Sequence, residues 1–211
     1  IDSEHSALWK CLSIDSDNVD KLIITASGGA FRKLSRDQLV SVTPEDALKH
    51  PTWKMGNKIT IDCATMVNKS FEIIEAYYLF GYKYNQIDVL LHDESYIHSM
   101  VKYNNGLYRA DVNKPDMCNP IKHALYEGKN EYKTYVANDY HDFGNYHFHK
   151  FDISRYPMVG FADKVISNGG SIGAVYNAAN EVAVNAFLLN KISFLDIEKI
   201  IEISLNNFKN N

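Results

Sequence analysis

The apolar residues follow two patterns, and the change between them near Pro157 limits the folds open to this chain. Before it, short β-branched runs such as residues 21–25 and 87–91 are mixed with helical spacing, without a strict strand–helix–strand order. After it, apolar residues recur at helical spacing, over residues 158–167, 174–189 and 194–208. The sequence therefore predicts an α+β fold: a mixed-sheet domain with flanking helices, followed by a small all-helical C-terminal domain.

Residues 129–152 separate these two regions. The stretch is rich in Tyr, Asn, Asp and His and poor in aliphatic residues, which is typical of a connecting segment on a protein surface. We predict a first domain over residues 1–128, a linker over 129–152 and a helical domain over 153–211. His141, His147 and His149 could supply imidazole ligands, since 147 and 149 would share a strand face, but we interpret them as surface residues because no fourth ligand is nearby.

Composition and charge argue against several classes of partner. The chain has 211 residues, of which 45% are hydrophobic and 23% charged, as in ordinary globular proteins. A net charge of −4 leaves no basic excess with which to neutralise nucleic-acid phosphates. No apolar run is long enough to span a bilayer, so we expect neither a nucleic-acid nor a membrane partner. Three widely spaced cysteines are typical of reduced thiols in a cytoplasm-like compartment.

Local signals predict the elements of the first domain. We expect a short strand at residues 59–61 and an amphipathic helix over residues 64–80. A strand over residues 95–103 precedes Asn-Asn-Gly at 104–106, which predicts a hairpin with residues 107–112.

Two acids open the chain. Asp2 and Glu4 are two residues apart, so on an extended segment both carboxylates would point to one face and could reach one cation. Acidic pairs of this kind are also common as solvated surface groups. From spacing alone, both interpretations remain open.

A second polar group lies at the predicted helix. Asn68 and Glu72 are spaced i and i+4, with Lys69 three residues before Glu72, so the three side chains share one helix face. Near a helical N-terminus such a group favours anions, because free N–H groups and the helix dipole point there. The alternative is an exposed helix start with a local Lys–Glu pair.

Two loops are further candidates. Residues 27–29, Ser-Gly-Gly, follow a predicted strand and either expose backbone N–H groups to an anion or form a plain turn. Residues 50–56 place Trp53 and Met55 in a loop rich in Pro and Gly, which either packs as ordinary structure or closes over a ligand.

Several segments together resemble one family, 1-deoxy-D-xylulose 5-phosphate reductoisomerase. Each is short, but their order and spacing also fit, which makes the set more specific than any member. The segments are residues 1–7, 24–32, 50–56, 62–69 with Glu72, 97–101, 115–121 and 177–181.

The resemblance implies an enzyme of the non-mevalonate isoprenoid pathway. Members rearrange 1-deoxy-D-xylulose 5-phosphate and reduce the product with NADPH to 2-C-methyl-D-erythritol 4-phosphate, using Mg²⁺ or Mn²⁺. It also implies a homodimer in the cytoplasm, or in an organelle if the source bears plastids.

The family's site residues can be placed on this sequence by motif. The metal ligands would be Asp2, Glu4 and Glu72, and the catalytic residues Glu4, His50 and Trp53. Cofactor binding would involve Met55 and Gly56, and His98 would lie close to the site. The substrate-binding residues would be Ser3, Ser27, His50, Cys63, Asn68, Lys69, Ser95 and Met117.

Some features depart from the family pattern. Cys63 stands where the family has Ser, Ser70 where it has Gly, and Asp93-Glu94 where it commonly has Pro-Gln. No segment matches the family's N-terminal NADPH domain, so we expect a fragment that comprises the catalytic domain, the linker and part of the helical tail and is inactive alone. The alternatives are an inactive remnant or paralogue that binds a sugar phosphate, and a structural or interaction module.

Overall fold

The computed structural model describes residues 2–49, 55–126 and 144–209 of the chain. Its helices are α1 (Ser3–Ile14), α2 (Pro44–Ala47), α3 (Asn57–Thr65), α4 (Val67–Phe80), α5 (Cys118–Leu125), α6 (Phe161–Asn168), α7 (Ile172–Leu188) and α8 (Phe194–Asn207). Its strands are β1 (Val19–Ala26), β2 (Ile87–His92), β3 (Ile97–Tyr103), β4 (Tyr108–Val112) and β5 (Phe148–Lys150). None of the described helices is both long and apolar enough to cross a bilayer.

The chain divides into two compact units. The first, here called the sheet unit, comprises Ile1–Ser27 and Glu75–Phe151. The second, the helical unit, comprises Gly28–Ile74 and Asp152–Asn211. Helix α4 contributes to both, because the division falls between Ile74 and Glu75.

The sheet unit is built on a mixed five-stranded sheet in the order β4-β3-β1-β2-β5. Strands β1 and β2 are parallel, with Leu22 opposite Ile87, and the other pairs are antiparallel. Helix α1 lies against β3 and β4, where it buries Leu8 and Cys11. The Thr25 hydroxyl, buried at the end of β1, donates to main-chain oxygens of β3. The predicted mixed sheet with flanking helices is thus confirmed.

The helical unit has one continuous apolar core. Helices α7 and α8 contribute Tyr176, Phe187 and Ile201, which are all but inaccessible to solvent, and residues 28–74 contribute side chains such as Phe31 and Ile61. The predicted domain division places residues 28–74 with the sheet, whereas their apolar side chains share this core with the C-terminal helices. Short apolar segments carry no sequence signal that says which distant partner they pack against.

Two local predictions were wrong. Residues 59–61 are not a strand but part of helix α3, because a β-branched triplet is too short to distinguish the two states. Asp2 and Glu4 do not lie on an extended segment, since α1 begins at Ser3 and Asp2 is its N-cap. The edge strand β5, Phe148–Lys150, lies within the predicted linker. The strand over residues 95–103 and the hairpin that follows it are confirmed, although β3 begins only at Ile97.

Candidate functional site

A tight glycine loop meets the end of helix α3. Gly28 and Gly29 have φ values of +87° and +67°, in the left-handed region that glycine adopts most readily. A β-carbon at Gly29 would lie 2.7 Å from both the Cα of Ala64 and the carbonyl oxygen of Cys63. Only glycine therefore allows this loop to approach the helix that carries Cys63, a predicted phosphate-binding residue.

Helix α3 ends and α4 begins within two residues. Met66 adopts a left-handed conformation with φ of +65°, which closes α3. The Thr65 hydroxyl then accepts a hydrogen bond from the Val67 N–H at 3.3 Å, in the first turn of α4. This reversal places Asn68 and Lys69 in the first turn of α4, the end of a helix at which main-chain N–H groups favour anions.

Asn68, Lys69 and Glu72 converge on this helix face, as their spacing predicts. The Asn68 amide and the Lys69 ammonium donate to different oxygens of the Glu72 carboxylate. Lys69 is 4% exposed and Glu72 1% exposed. The alternative of an exposed helix start is therefore wrong, because both charges are removed from water and neutralise each other.

A second buried carboxylate supports helix α3 from within the helical unit. Asp62, the residue before Cys63, accepts hydrogen bonds from the Lys58 ammonium at 2.7 Å and from the Asn180 amide of α7 at 2.8 Å. Burial raises the pKa of Asp62, against the lowering effect of these two partners. Asn180 belongs to the 177–181 segment, so that motif fixes the helix that carries Cys63.

In the sheet unit, the acids of the first segment lie at the start of α1. The Ser3 hydroxyl is buried and donates to Glu4 at 2.7 Å. Asp2 lies 3.9 Å from Nδ1 of His5, which in turn is 3.3 Å from Glu75. Partial burial, together with the negative charge of Asp2, raises the pKa of Glu75.

The cluster of Asp2, His5 and Glu75 was not predicted from the sequence. These three residues have ligand atoms within 4.8 Å of one another and are among the residues that line a cavity of about 660 Å³. The rest of its wall is mainly apolar, with Trp9, Leu79 and Phe80. The signal that could have found it is the i, i+3 spacing of Asp2 and His5, which places both on one face once a helix is predicted over residues 3–14.

Ser95 lies in the turn between β2 and β3 with a left-handed φ of +57°. Its hydroxyl is buried and has no hydrogen-bond partner within the described part of the chain. The turn is held by His92, whose Nε2 accepts from the Tyr96 N–H at 3.2 Å. A buried hydroxyl on a constrained turn is available to a ligand oxygen.

The same turn is joined to the segment around β5. Both oxygens of Glu94 accept hydrogen bonds from His147, from its N–H at 3.0 Å and from Nδ1 at 2.6 Å. His149 lies 3.5 Å from Asp93. Partial burial opposes ionisation of Glu94, but the bonds from His147 outweigh it and lower its pKa to about 2, while the pKa of His147 is raised.

The remaining predicted residues are dispersed. In the sheet unit, His98 is buried on β3, and this burial lowers its pKa in spite of the nearby charge of Glu4. Met117 is the N-cap of α5. Gly56 is the N-cap of α3, directly after Met55. His50 and Trp53 lie outside the described residues.

The predicted cation ligands have suitable chemistry. Asp2, Glu4 and Glu72 offer carboxylate oxygens, the donors that Mg²⁺ and Mn²⁺ prefer. The buried Glu72 carboxylate is paired with the Lys69 ammonium, so a cation bound there would take over or share that pairing. Asp2 and Glu4 belong to the sheet unit and Glu72 to the helical unit, so their joint coordination of one ion stays a prediction.

Known proteins match this chain over nearly its full length. A model described as the 1-deoxy-D-xylulose 5-phosphate reductoisomerase C-terminal domain matches residues 1–80, and one described as the DXP reductoisomerase C-terminal domain matches residues 112–211. The 1-deoxy-D-xylulose 5-phosphate reductoisomerase of Bacillus cereus strain AH187 is 49% identical over 208 residues, which are 98% of this chain and 55% of that protein. The enzyme of an Exiguobacterium strain is 49% identical over 204 residues, 96% of this chain and 53% of that protein. The chain thus spans about half the length of these relatives.

Solved structures agree with the sequence matches. The reductoisomerase from Zymomonas mobilis in complex with NADPH superimposes with a TM-score of 0.89 at 43% identity, over 99% of this chain and 54% of that one. A DOX-P reductoisomerase in complex with NADPH, fosmidomycin and magnesium gives 0.88 at 37% identity, over 98% and 53%. With matching sequence motifs, matching domains and this structural similarity, the chain belongs to the 1-deoxy-D-xylulose 5-phosphate reductoisomerase family.

Proposed function

We propose that this protein takes part in the metal-dependent rearrangement and NADPH-dependent reduction of 1-deoxy-D-xylulose 5-phosphate to 2-C-methyl-D-erythritol 4-phosphate. The observation that carries the proposal is the buried group of Asn68, Lys69 and Glu72 at the start of α4, in a chain of this family. This group offers donors for a phosphate and a carboxylate for a cation on one helix face.

The chain's own residues would divide the work as follows. Lys69, Asn68 and Cys63 would bind the phosphate, with Ser27 in the glycine loop. Ser3, Ser95 and Met117 would line the rest of the substrate site. Asp2, Glu4 and Glu72 would hold Mg²⁺ or Mn²⁺, which when bound polarises the substrate carbonyl.

The loop over residues 50–56 has two further roles in the proposal, closing over the substrate and contacting NADPH. His50 would contact the substrate and Trp53 would exclude water from the reacting centre. Met55 and Gly56 would contact NADPH, the cofactor present in two of the related structures. A homodimer in the cytoplasm belongs to the same proposal, and light scattering on the purified protein would show the oligomeric state.

The test is calorimetric titration of the protein with 1-deoxy-D-xylulose 5-phosphate in the presence and absence of Mn²⁺. We expect Mn²⁺ to raise the affinity for 1-deoxy-D-xylulose 5-phosphate. In Glu72→Gln, most of this increase should be lost. Glu202→Gln, which alters an exposed carboxylate of α8, is the matched control. Metal-independent binding, or equal binding by both variants, would contradict the proposal.

A second candidate is a protein that binds the sugar phosphate without turning it over. Cys63 favours it, because a thiol is a weaker hydrogen-bond donor and acceptor than a hydroxyl. Tighter binding by Cys63→Ser is expected in either case if residue 63 touches the phosphate. Binding of 1-deoxy-D-xylulose 5-phosphate without NADPH oxidation would favour this second candidate.

A further inference from the structure

The contact between Lys69 and Glu72 occupies the two groups that the proposed function assigns to different ligands. The Lys69 ammonium donates to Glu72, and both side chains are at least 95% buried. In the proposed function, Lys69 binds the phosphate and Glu72 binds the cation. Both groups must therefore change their main electrostatic partner when the ligands arrive.

From this geometry we propose that Lys69 and Glu72 exchange partners on binding, so that cation and phosphate bind cooperatively. The inference rests on the proposed function. A cation that approaches Glu72 alone meets an ammonium group already in place, and a phosphate that approaches Lys69 alone meets a carboxylate. When both ligands are present, two opposite-charge pairs replace one, and neither buried charge is left unpaired.

Asn68 allows the exchange to occur without loss of orientation. Its amide donates to Oε1 of Glu72, the oxygen that Lys69 does not use. Because the amide is neutral, it can hold the carboxylate in place whether the positive partner is an ammonium or a metal ion. The buried helix face therefore fixes Glu72 and leaves only its charge partner to change.

The coupling is reciprocal by thermodynamic necessity. If phosphate raises the affinity for the cation by some factor, the cation raises the affinity for phosphate by the same factor. Couplings between sites are commonly about 5- to 150-fold. Because the two groups are buried and in contact, we expect a value of about tenfold here.

The experiment is a titration of the protein with Mn²⁺, followed by electron paramagnetic resonance, with and without inorganic phosphate. In the wild type, phosphate should tighten Mn²⁺ binding about tenfold. Lys69→Gln should bind Mn²⁺ more tightly than the wild type without phosphate, and phosphate should no longer improve it. Lys69→Arg, which keeps the charge, should retain the wild-type coupling.

Lys58→Gln is the matched control. Lys58 also forms an ion pair with a buried carboxylate, that of Asp62, one turn further along α3. The proposed function assigns Lys58 to neither the cation nor the phosphate. Lys58→Gln should leave both the Mn²⁺ affinity and the phosphate effect unchanged. Circular dichroism melting curves of each variant would separate a binding effect from unfolding. If Lys69→Gln does not fold, Lys69→Met removes the same charge, keeps an unbranched apolar side chain and should give the same result.

The outcomes distinguish this inference from the proposed function. If Mn²⁺ binding depends on Glu72 but Lys69→Gln shows the same affinity and the same phosphate effect as the wild type, the exchange is wrong and the cation site stands. If phosphate tightens Mn²⁺ binding equally in the wild type and in Lys69→Gln, phosphate acts on Mn²⁺ directly and the exchange is overturned. If Glu72→Gln binds Mn²⁺ as the wild type does, both the cation site and the exchange are overturned.

Discussion

Replacing Gly29 by alanine should destabilise the protein well beyond the usual cost of a glycine substitution. The left-handed φ of Gly29 costs a residue with a β-carbon about 1–2 kcal/mol. The new β-carbon would also overlap Ala64 Cα and the Cys63 carbonyl oxygen, each 2.7 Å away. Overpacking of this kind adds about 1–3 kcal/mol, so we expect a total loss of about 2–5 kcal/mol in the free energy of unfolding.

The matched control is Gly81→Ala. Gly81 has a similar φ of +73°, but a β-carbon there would meet no atom within 4 Å among the described residues. Gly81→Ala should therefore lower the free energy of unfolding only by the cost of the left-handed conformation, about 1–2 kcal/mol. Urea unfolding followed by circular dichroism would measure both variants.

A second-site change sharpens the test. The atoms that a β-carbon at residue 29 would overlap belong to the backbone of α3, so Ala64→Gly should not rescue Gly29→Ala. Rescue would show that the clash is with the Ala64 side chain instead. Equal losses for Gly29→Ala and Gly81→Ala would refute the close approach of the glycine loop to α3.

Three further predictions concern charge and burial. The pKa of Glu94 is lowered from its ordinary 4.5, so Glu94 adds stability that is lost as pH falls from about 4.5 through its lowered pKa. The pKa of His147 is raised from 6.5, so His147 adds stability that is full below about 6.5 and is lost as pH rises from there through its raised pKa. Thermal melts against pH should therefore show a larger loss for Glu94→Gln between these values than above or below them, and an equal loss at every pH would contradict the pairing. His123 is buried with no hydrogen-bond partner for either ring nitrogen among the described residues, so His123→Leu should stabilise the fold by about 1 kcal/mol in urea unfolding, and a loss would contradict this. Arg36→Ala leaves the buried Glu198 without its guanidinium partner. Because Arg36 itself is 39% exposed, the loss in urea unfolding should be about 2 kcal/mol, below the roughly 3–5 kcal/mol of a fully buried pair, and Glu198→Gln should restore most of it.

The sequence predicted the candidate site best where spacing within one helix decides the geometry. Asn68, Lys69 and Glu72 were placed on one face because residues three and four apart on a helix are neighbours, and their contacts confirm it. What spacing could not provide was burial, which depends on segments far away in the chain. For that reason the pattern alone left an exposed Lys–Glu pair open.

Prediction failed where the secondary structure was ambiguous. Asp2 and Glu4 were given a strand geometry, because the first residues of α1 lack the apolar periodicity of a strongly amphipathic helix. The contact of Asp2 with His5, at i+3, was missed for the same reason. His147 was interpreted as a surface residue, and its exposure bears that out, but its contact with Glu94 could not be anticipated from positions 53 residues apart.

The proposed binding group near residue 70 lies on a helix that packs against the distant C-terminal helices. The ring of Tyr176 of α7 packs at a tilted angle against Phe71, with centroids 4.9 Å apart, and the amide of Asn180, one turn further, donates a hydrogen bond to Asp62. Phe71 lies between Lys69 and Glu72 in sequence. Helix α4 therefore carries the two charged side chains and, through Phe71, also packs against α7. A buried ion pair keeps its geometry only if the surrounding core is rigid. In the proposed function, the C-terminal helices would support ligand binding by fixing the helix from which Lys69 and Glu72 project.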